Sequence, residues 1–185
     1  MITDPALCRS ILDFWFAAEA RPHWFDKDEG FDAAIRDRFA AAHDRAIAGA
    51  YDDWLSSANA AVAMVVLLDQ FPRNMYRGTA RMFAADPKAL QVAVAAIGKG
   101  FDRAVPDERR IFFYLPFEHA EDLAVQQRGL ELIETRQADE EAAIWARKHL
   151  VIIERFGRFP HRNAALGRAT TAEEAEFLKG PDSSF

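Results

Sequence analysis

Two short strings hold most of the residues in this chain that can bind or move charge. Phe71-Pro72-Arg73-Asn74 and Phe159-Pro160-His161-Arg162-Asn163 share a Phe-Pro step and an asparagine, with one residue inserted in the second. An Arg/Gly pair follows each, Arg77-Gly78 and Gly167-Arg168, in reversed order. Arg73, Arg77 and Arg81 fall four apart, and Arg155, Arg158 and Arg162 fall three and four apart, so each set shares a face wherever its segment is helical. A guanidinium is a planar fork of donors that suits a carboxylate or phosphate, and it is costly to bury without one. Asp69, Glu118, Glu121 and Asp122 are the internal acids on offer. Either they neutralise the arginines as a structural network, or some arginines remain for an anionic ligand. The candidate ligand-binding set is Asp69, Gln70, Arg73, Asn74, Arg77, Arg155, Arg158, His161, Arg162 and Asn163. A structural reading covers the same turns: proline stops each helix, its ring packs on the preceding phenylalanine, and the asparagine caps the next helix.

The string FEHAED supplies a second chemistry. On a continuous helix Glu118 and Asp122 lie one turn apart with His119 and Glu121 beside them, which suits a general acid/base pair or a metal with ligands from elsewhere. Glu118, His119 and Glu121 are therefore the catalytic candidates. The Glu-x-x-His spacing of di-iron bundles fails, because Pro116, Ala146 and Ala40 stand three residues before His119, His149 and His43. His149, among Leu150, Ile152 and Ile153, reads as a core histidine. His43-Asp44 completes no metal motif and sits on an amphipathic surface helix beside Arg45, so no metal is expected there. Nucleophile-elbow, phosphate-loop, zinc-protease and dinucleotide motifs are absent, and no cofactor is expected.

The elements that must position these groups read as helices. Asp4-Pro5 and Asp86-Pro87 each join a capping residue to a proline, ahead of apolar residues at helical spacing. Phe31, Ile35, Phe39 and Ala42 mark a second helix, and AVAMVVLL a third, buried nearly all round and ended by Pro72. After Pro116 a helix is expected to about Thr135, then one over about residues 138–156, and a last one opened by Thr170 with Glu173 as a capping box. No stretch alternates like a half-buried strand. The expected fold is all-α, a single domain over residues 1–185 with about seven to eight helices stacked as antiparallel pairs.

Composition bounds the function. Half the residues are hydrophobic and 28% are charged, as in ordinary globular proteins. A net charge of −6 argues against non-specific nucleic-acid binding, although residues 155–168 hold four arginines and a histidine with no acid. The one cysteine, Cys8, has no intrachain partner. The N-terminus lacks a basic stretch followed by an apolar run, and the longest apolar segment, residues 60–68, is far shorter than the roughly 20 residues that span a bilayer. A cytoplasmic location without a membrane partner is expected.

The strings LLDQFPRNMYRGTA, FFYLPFEHAEDLA and ERFGRFPHRNAALGRATTAEEAEFL together resemble the bacterial family of unknown function DUF924, from ILDFWF near the start to the final helix. The resemblance implies a helical fold classed with the tetratricopeptide-like superfamily, and it carries no established activity or catalytic residue. No 34-residue period and no W-x2-L-G-x2-Y string occurs, which favours a compact array over an open peptide-binding superhelix. The leading expectation is a binding protein whose arginine-, histidine- and asparagine-lined cleft takes an anionic small molecule or an acidic peptide. An enzyme using Glu118, His119 and Glu121 on an anionic metabolite, and a helical interaction scaffold with a structural polar network, are the alternatives.

Overall fold

Capping carboxylates start the long helices. The Asp4 side chain accepts the Leu7 N–H at 3.0 Å to open α1 (Pro5–Trp15), and Asp28 accepts that of Phe31 at 2.8 Å to open α2 (Glu29–Ile47). The computed structural model describes residues 1–137, 139–181, 183 and 184. It is all-α, with no strand among the described residues. No helix there is long and apolar enough to cross a membrane. The chain divides into two compact units, Met1–Arg77 with Arg81–Pro116, and Gly78–Ala80 with Phe117–Phe185.

The first unit is built around α3 (Ala58–Val65), whose residues are buried from Ala60 onward. The sequence leads one to expect Pro72 to end this helix, and it does not. A π-helical turn, Val66–Gln70, widens the hydrogen-bond spacing, and Pro72 falls in the first turn of α4 (Phe71–Met75). There the missing N–H matters least, so the chain runs on. Phe71 packs on Phe39 at 4.8 Å and on Trp15 at 5.5 Å between ring centroids. α5 (Asp86–Gly98) has no side-chain cap, because the Asp86 carboxylate is turned to Arg73. α6 (Asp107–Arg110) comes next.

α7 (Leu115–Glu118) leads into the second unit. FEHAED is not one helix: the helix breaks after Glu118, and Asp122 caps α8 (Leu123–Leu132) by accepting the Val125 N–H at 3.0 Å. Glu118 and Asp122 therefore do not share a helical face, since Asp122 is engaged in starting a new helix. A second π-helical turn, Ile133–Gln137, ends α8. α9 spans Glu140–Phe156; the expected start at Ala138 lies outside the described residues. α9 ends at Phe156, where the sequence places its end, and the stop is Gly157 at φ 66° rather than Pro160, because glycine takes the left-handed cap without strain. Ile152, Ile153 and Phe159 form a buried cluster with Phe156 and Phe177 against it. α10 (Asn163–Leu166) and α11 (Ala172–Phe177) complete the unit. The capping box of α11 is Thr171 with Glu174, one residue beyond the expected pair.

Candidate functional site

Each unit holds one Phe-Pro motif and supplies carboxylates to it. In the first unit Arg73 takes Asp86 bidentately at 3.0 and 3.1 Å and donates to the Asp69 backbone carbonyl at 2.6 Å. Asp69 is fully buried and accepts from the Gln70 amide at 2.6 Å. Asn74 does not cap a helix; its amide donates to Asp32 at 2.8 Å. Arg77 closes on the same carboxylate at 2.6 and 3.1 Å. Arg81 pairs with Asp44, and the neighbouring His43 is fully buried with Nδ1 3.0 Å from the Leu67 carbonyl oxygen.

In the second unit Arg158 grips Glu174 at 2.6 and 2.9 Å. Those hydrogen bonds first, then the Thr171 N–H, hold Glu174 down at about 2. Asn163 donates to Glu174 at 3.2 Å and accepts from Arg168 at 2.9 Å. Glu121 takes Arg168 bidentately at 2.6 and 2.9 Å and the Phe159 N–H at 2.8 Å. Burial alone would raise Glu121, but the Arg168 and Phe159 hydrogen bonds and the charges of Arg168 and Arg162 outweigh it, and the carboxyl is held low. Arg155 lies at the surface, paired with Glu173 and stacked over Phe156.

Four members of the second unit gather differently. The Phe159 ring, fully buried, is faced by the Arg162 guanidinium at 4.5 Å, the His161 ring at 5.6 Å and the His149 ring at 5.7 Å. The His119 ring stands 6.2 Å beyond His149. Glu118, also buried, approaches His149 Nδ1 at 3.6 Å, too far for a hydrogen bond. That nitrogen is 2.9 Å from the Trp145 carbonyl oxygen, which can only accept, so the imidazole proton sits on Nδ1. Burial, then the positive charge of His119, pushes His149 down to about 3, the Trp145 hydrogen bond opposing and Arg162 and His161 adding to the shift. His119 and His161 are half-buried and give the cluster an edge toward solvent. Among the described residues no group of three or more His, Cys, Asp or Glu side chains is placed to hold a metal ion.

The first unit also carries an open recess of about 530 Å³, lined by Phe14, His23, Asp28, Phe31 and Arg38 among others, and none of the expected site residues lines it. Asp32, Asp86, His149, Arg168 and Glu174 all take part in the polar networks without having been marked as site residues. Only the Arg/Gly echo hinted at Arg168. Asp32 reads locally as an ordinary helix-start acid.

No curated protein matches the chain. A solved structure, a protein of unknown function, ATU0120, from Agrobacterium tumefaciens, is 47% identical, covering 96% of this chain and 100% of its own with a TM-score of 0.91. The family model for the bacterial protein of unknown function DUF924 matches residues 11–182, and with nearly the whole length covered the chain belongs to that family.

Proposed function

We propose that this protein binds a small anionic metabolite at the cluster of His119, His149, His161 and Arg162 in the second unit. The observation that supports this best is the convergence of a buried guanidinium and two imidazoles on one aromatic ring, with a third imidazole beside them. Apart from the buried Glu118 carboxylate 3.6 Å from His149, the charged and titratable groups named there are cation-forming, and such a gathering is unfavourable for folding by itself and favourable for receiving negative charge. The positive field that helps hold His149 neutral is the field such an anion would feel. His161 and Arg162 are the members of the broader expected set that surround the Phe159 ring, whereas Arg73, Arg77, Arg155 and Arg158 hold Asp86, Asp32, Glu173 and Glu174.

Acid/base catalysis draws less support. A general base works best with a pKa near the operating pH, whereas Glu121, one of the three catalytic candidates, is held below the usual carboxylate range. The test is thermal melting of the whole chain with orthophosphate and with succinate, because a ligand bound only by the folded state raises its apparent stability. The parent is expected to gain stability with one of these anions. Arg162→Lys should melt near the parent without that gain, because lysine lacks the planar fork, while Arg77→Lys should keep the response. Unfolding of Arg162→Lys in step with Phe159→Ala would move Arg162 into a structural network and leave the scaffold reading.

A further inference from the structure

The recess of about 530 Å³ in the first unit takes no part in the anion cluster, and its size is that of a small-molecule site, about 300–1,000 Å³. α1 supplies Asp13 and Phe14 to it, α2 supplies Phe31 and Arg38, and the segment between these helices supplies Glu19 and His23. One wall is layered. The His23 ring stacks on Phe31 at 5.1 Å, Phe31 stacks on Phe14 at 5.3 Å, and the Arg38 guanidinium stands 4.5 Å over Phe14 and 5.0 Å over Phe39. These rings and the Ser10 hydroxyl, 3.4 Å away, hold Arg38 in place. Phe14 and Phe31 are only half-buried, so ring surface is left for the hydrocarbon part of a ligand to cover.

The recess carries both signs of charge, and that selects the ligand. Arg38 is unlike Arg73, Arg77, Arg155 and Arg158: among the described residues no carboxylate engages it. Asp13 borders the same recess, and with Arg38 an adjoining one of about 500 Å³ that also holds Arg9, and among the described residues no cation engages Asp13. A guanidinium on α2 and a carboxylate on α1 thus border one space without closing on each other. An exposed pair gains little by closing, so leaving it open costs the fold little. Asp28 is committed elsewhere, capping α2 through the Phe31 N–H at 2.8 Å with its second oxygen 3.6 Å from His23 Nδ1. We propose that this recess binds a free α-amino acid with an apolar side chain. Arg38 takes the carboxylate as a two-pronged donor, Asp13 takes the ammonium, and the side chain lies on Phe14 and Phe31. The two charges of such a ligand flank one carbon, which one cation and one anion on neighbouring helices match. A bare amine would set a second positive charge before Arg38 and a bare carboxylate a second negative one before Asp13, so the pair selects against both.

Titration calorimetry on the full chain, with three probes that share one hydrocarbon body, reads this directly. Phenylalanine carries both charges, phenylalaninamide lacks the carboxylate, and N-acetylphenylalanine lacks the ammonium; mildly acid pH keeps the free amines protonated. The parent is expected to bind phenylalanine at least about tenfold tighter than either blocked form, the scale of one lost charge-assisted contact. Arg38→Gln should remove the preference over phenylalaninamide, and Asp13→Asn the preference over N-acetylphenylalanine. Both positions are exposed, so both variants should keep the parent's helical circular dichroism. Arg162→Lys, in the other unit, should keep the parent's affinity for phenylalanine. A parent that takes up no phenylalanine at about 10 mM, or that binds a blocked form equally well, overturns the proposal without recourse to any variant. So does either preference surviving its variant, or loss of phenylalanine binding in Arg162→Lys. Orthophosphate and succinate read the second-unit cluster separately.

Discussion

Gly129 stands in the middle of α8, where alanine would ordinarily stabilise the helix by about 1 kcal/mol through backbone entropy. Here a Cβ would meet the Cβ of Phe117 at 2.6 Å and its Cγ at 3.6 Å. Non-bonded carbons sit best at about 3.5–4.0 Å, so the overlap is close to 1 Å. Rotating the Phe117 ring does not relieve it, because the Cβ is the root of the side chain. The segment carrying Phe117 must move away from α8, loosening a residue that is only 5% exposed. Overpacking of this kind costs about 1–3 kcal/mol, and contact at a side-chain root belongs at the upper end. Gly129→Ala is therefore expected to lose about 1–2 kcal/mol net, read as a lower urea midpoint at unchanged slope. Gly98→Ala is the control: nothing lies within 4 Å of its added Cβ, and it should gain up to about 1 kcal/mol. If Gly129→Ala matches or exceeds the parent, the close approach of Phe117 to α8 is not what excludes a side chain there.

His149 should shape the acid limb of stability. Its pKa falls from 6.5 to about 3 on folding, so below 6.5 the unfolded chain takes up a proton that the folded chain refuses. Stability contributed by the neutral imidazole is thus complete above 6.5 and declines as pH falls toward 3, by up to about 1.4 kcal/mol per unit. Urea titrations across this window should show that slope in the parent and a flatter one in His149→Gln. In the first unit, Asp32→Ala strands the Asn74 amide and the Arg77 guanidinium together; removing one partner of a buried pair costs about 3–5 kcal/mol, and about 2–3 here because Arg77 is one-third exposed. Arg155→Ala, by contrast, breaks an exposed pair and a surface stacking contact on Phe156, and should cost about 1 kcal/mol. Equal losses in these two variants would contradict the distinction drawn between buried and surface arginines.

Local sequence was enough to find the helices, because caps and apolar spacing act within a turn or two of the chain. Asp4 with Pro5, and the apolar run of α3, behave as their neighbours dictate. Where two local signals compete, sequence is degenerate. Thr170 with Glu173 and Thr171 with Glu174 have the same spacing, and the second pair forms the cap, with Arg158 and Asn163 both closing on the buried Glu174. Proline is the stop in neither motif, although the end of α9 at Phe156 falls where the sequence places it. A π-helical turn ahead of Pro72 and a left-handed glycine ahead of Pro160 decide where the helices run and stop.

The pairing of charges was legible only in part: of the acids on offer, Asp69 and Glu121 do meet arginines, Arg73 and Arg168. The sequence required that buried arginines find acids, since an isolated guanidinium is too costly to desolvate. It did not point to Asp32, Asp86 or Glu174, which take Arg77, Arg73 and Arg158. Arg77 reaches Asp32 across 45 residues, and Arg168 reaches Glu121 across 47. Arg73 takes the carboxylate of Asp86 that the sequence offered as a cap for α5. Spacing along a chain fixes which residues share a face of one helix, but contact between helices depends on how their faces pack. The family, the all-α class and the need for compensated arginines therefore came from the sequence alone. Which arginine holds which carboxylate, and the gathering of His149, His161 and Arg162 around Phe159, came only from tertiary packing, because spacing along the chain does not say which helices meet.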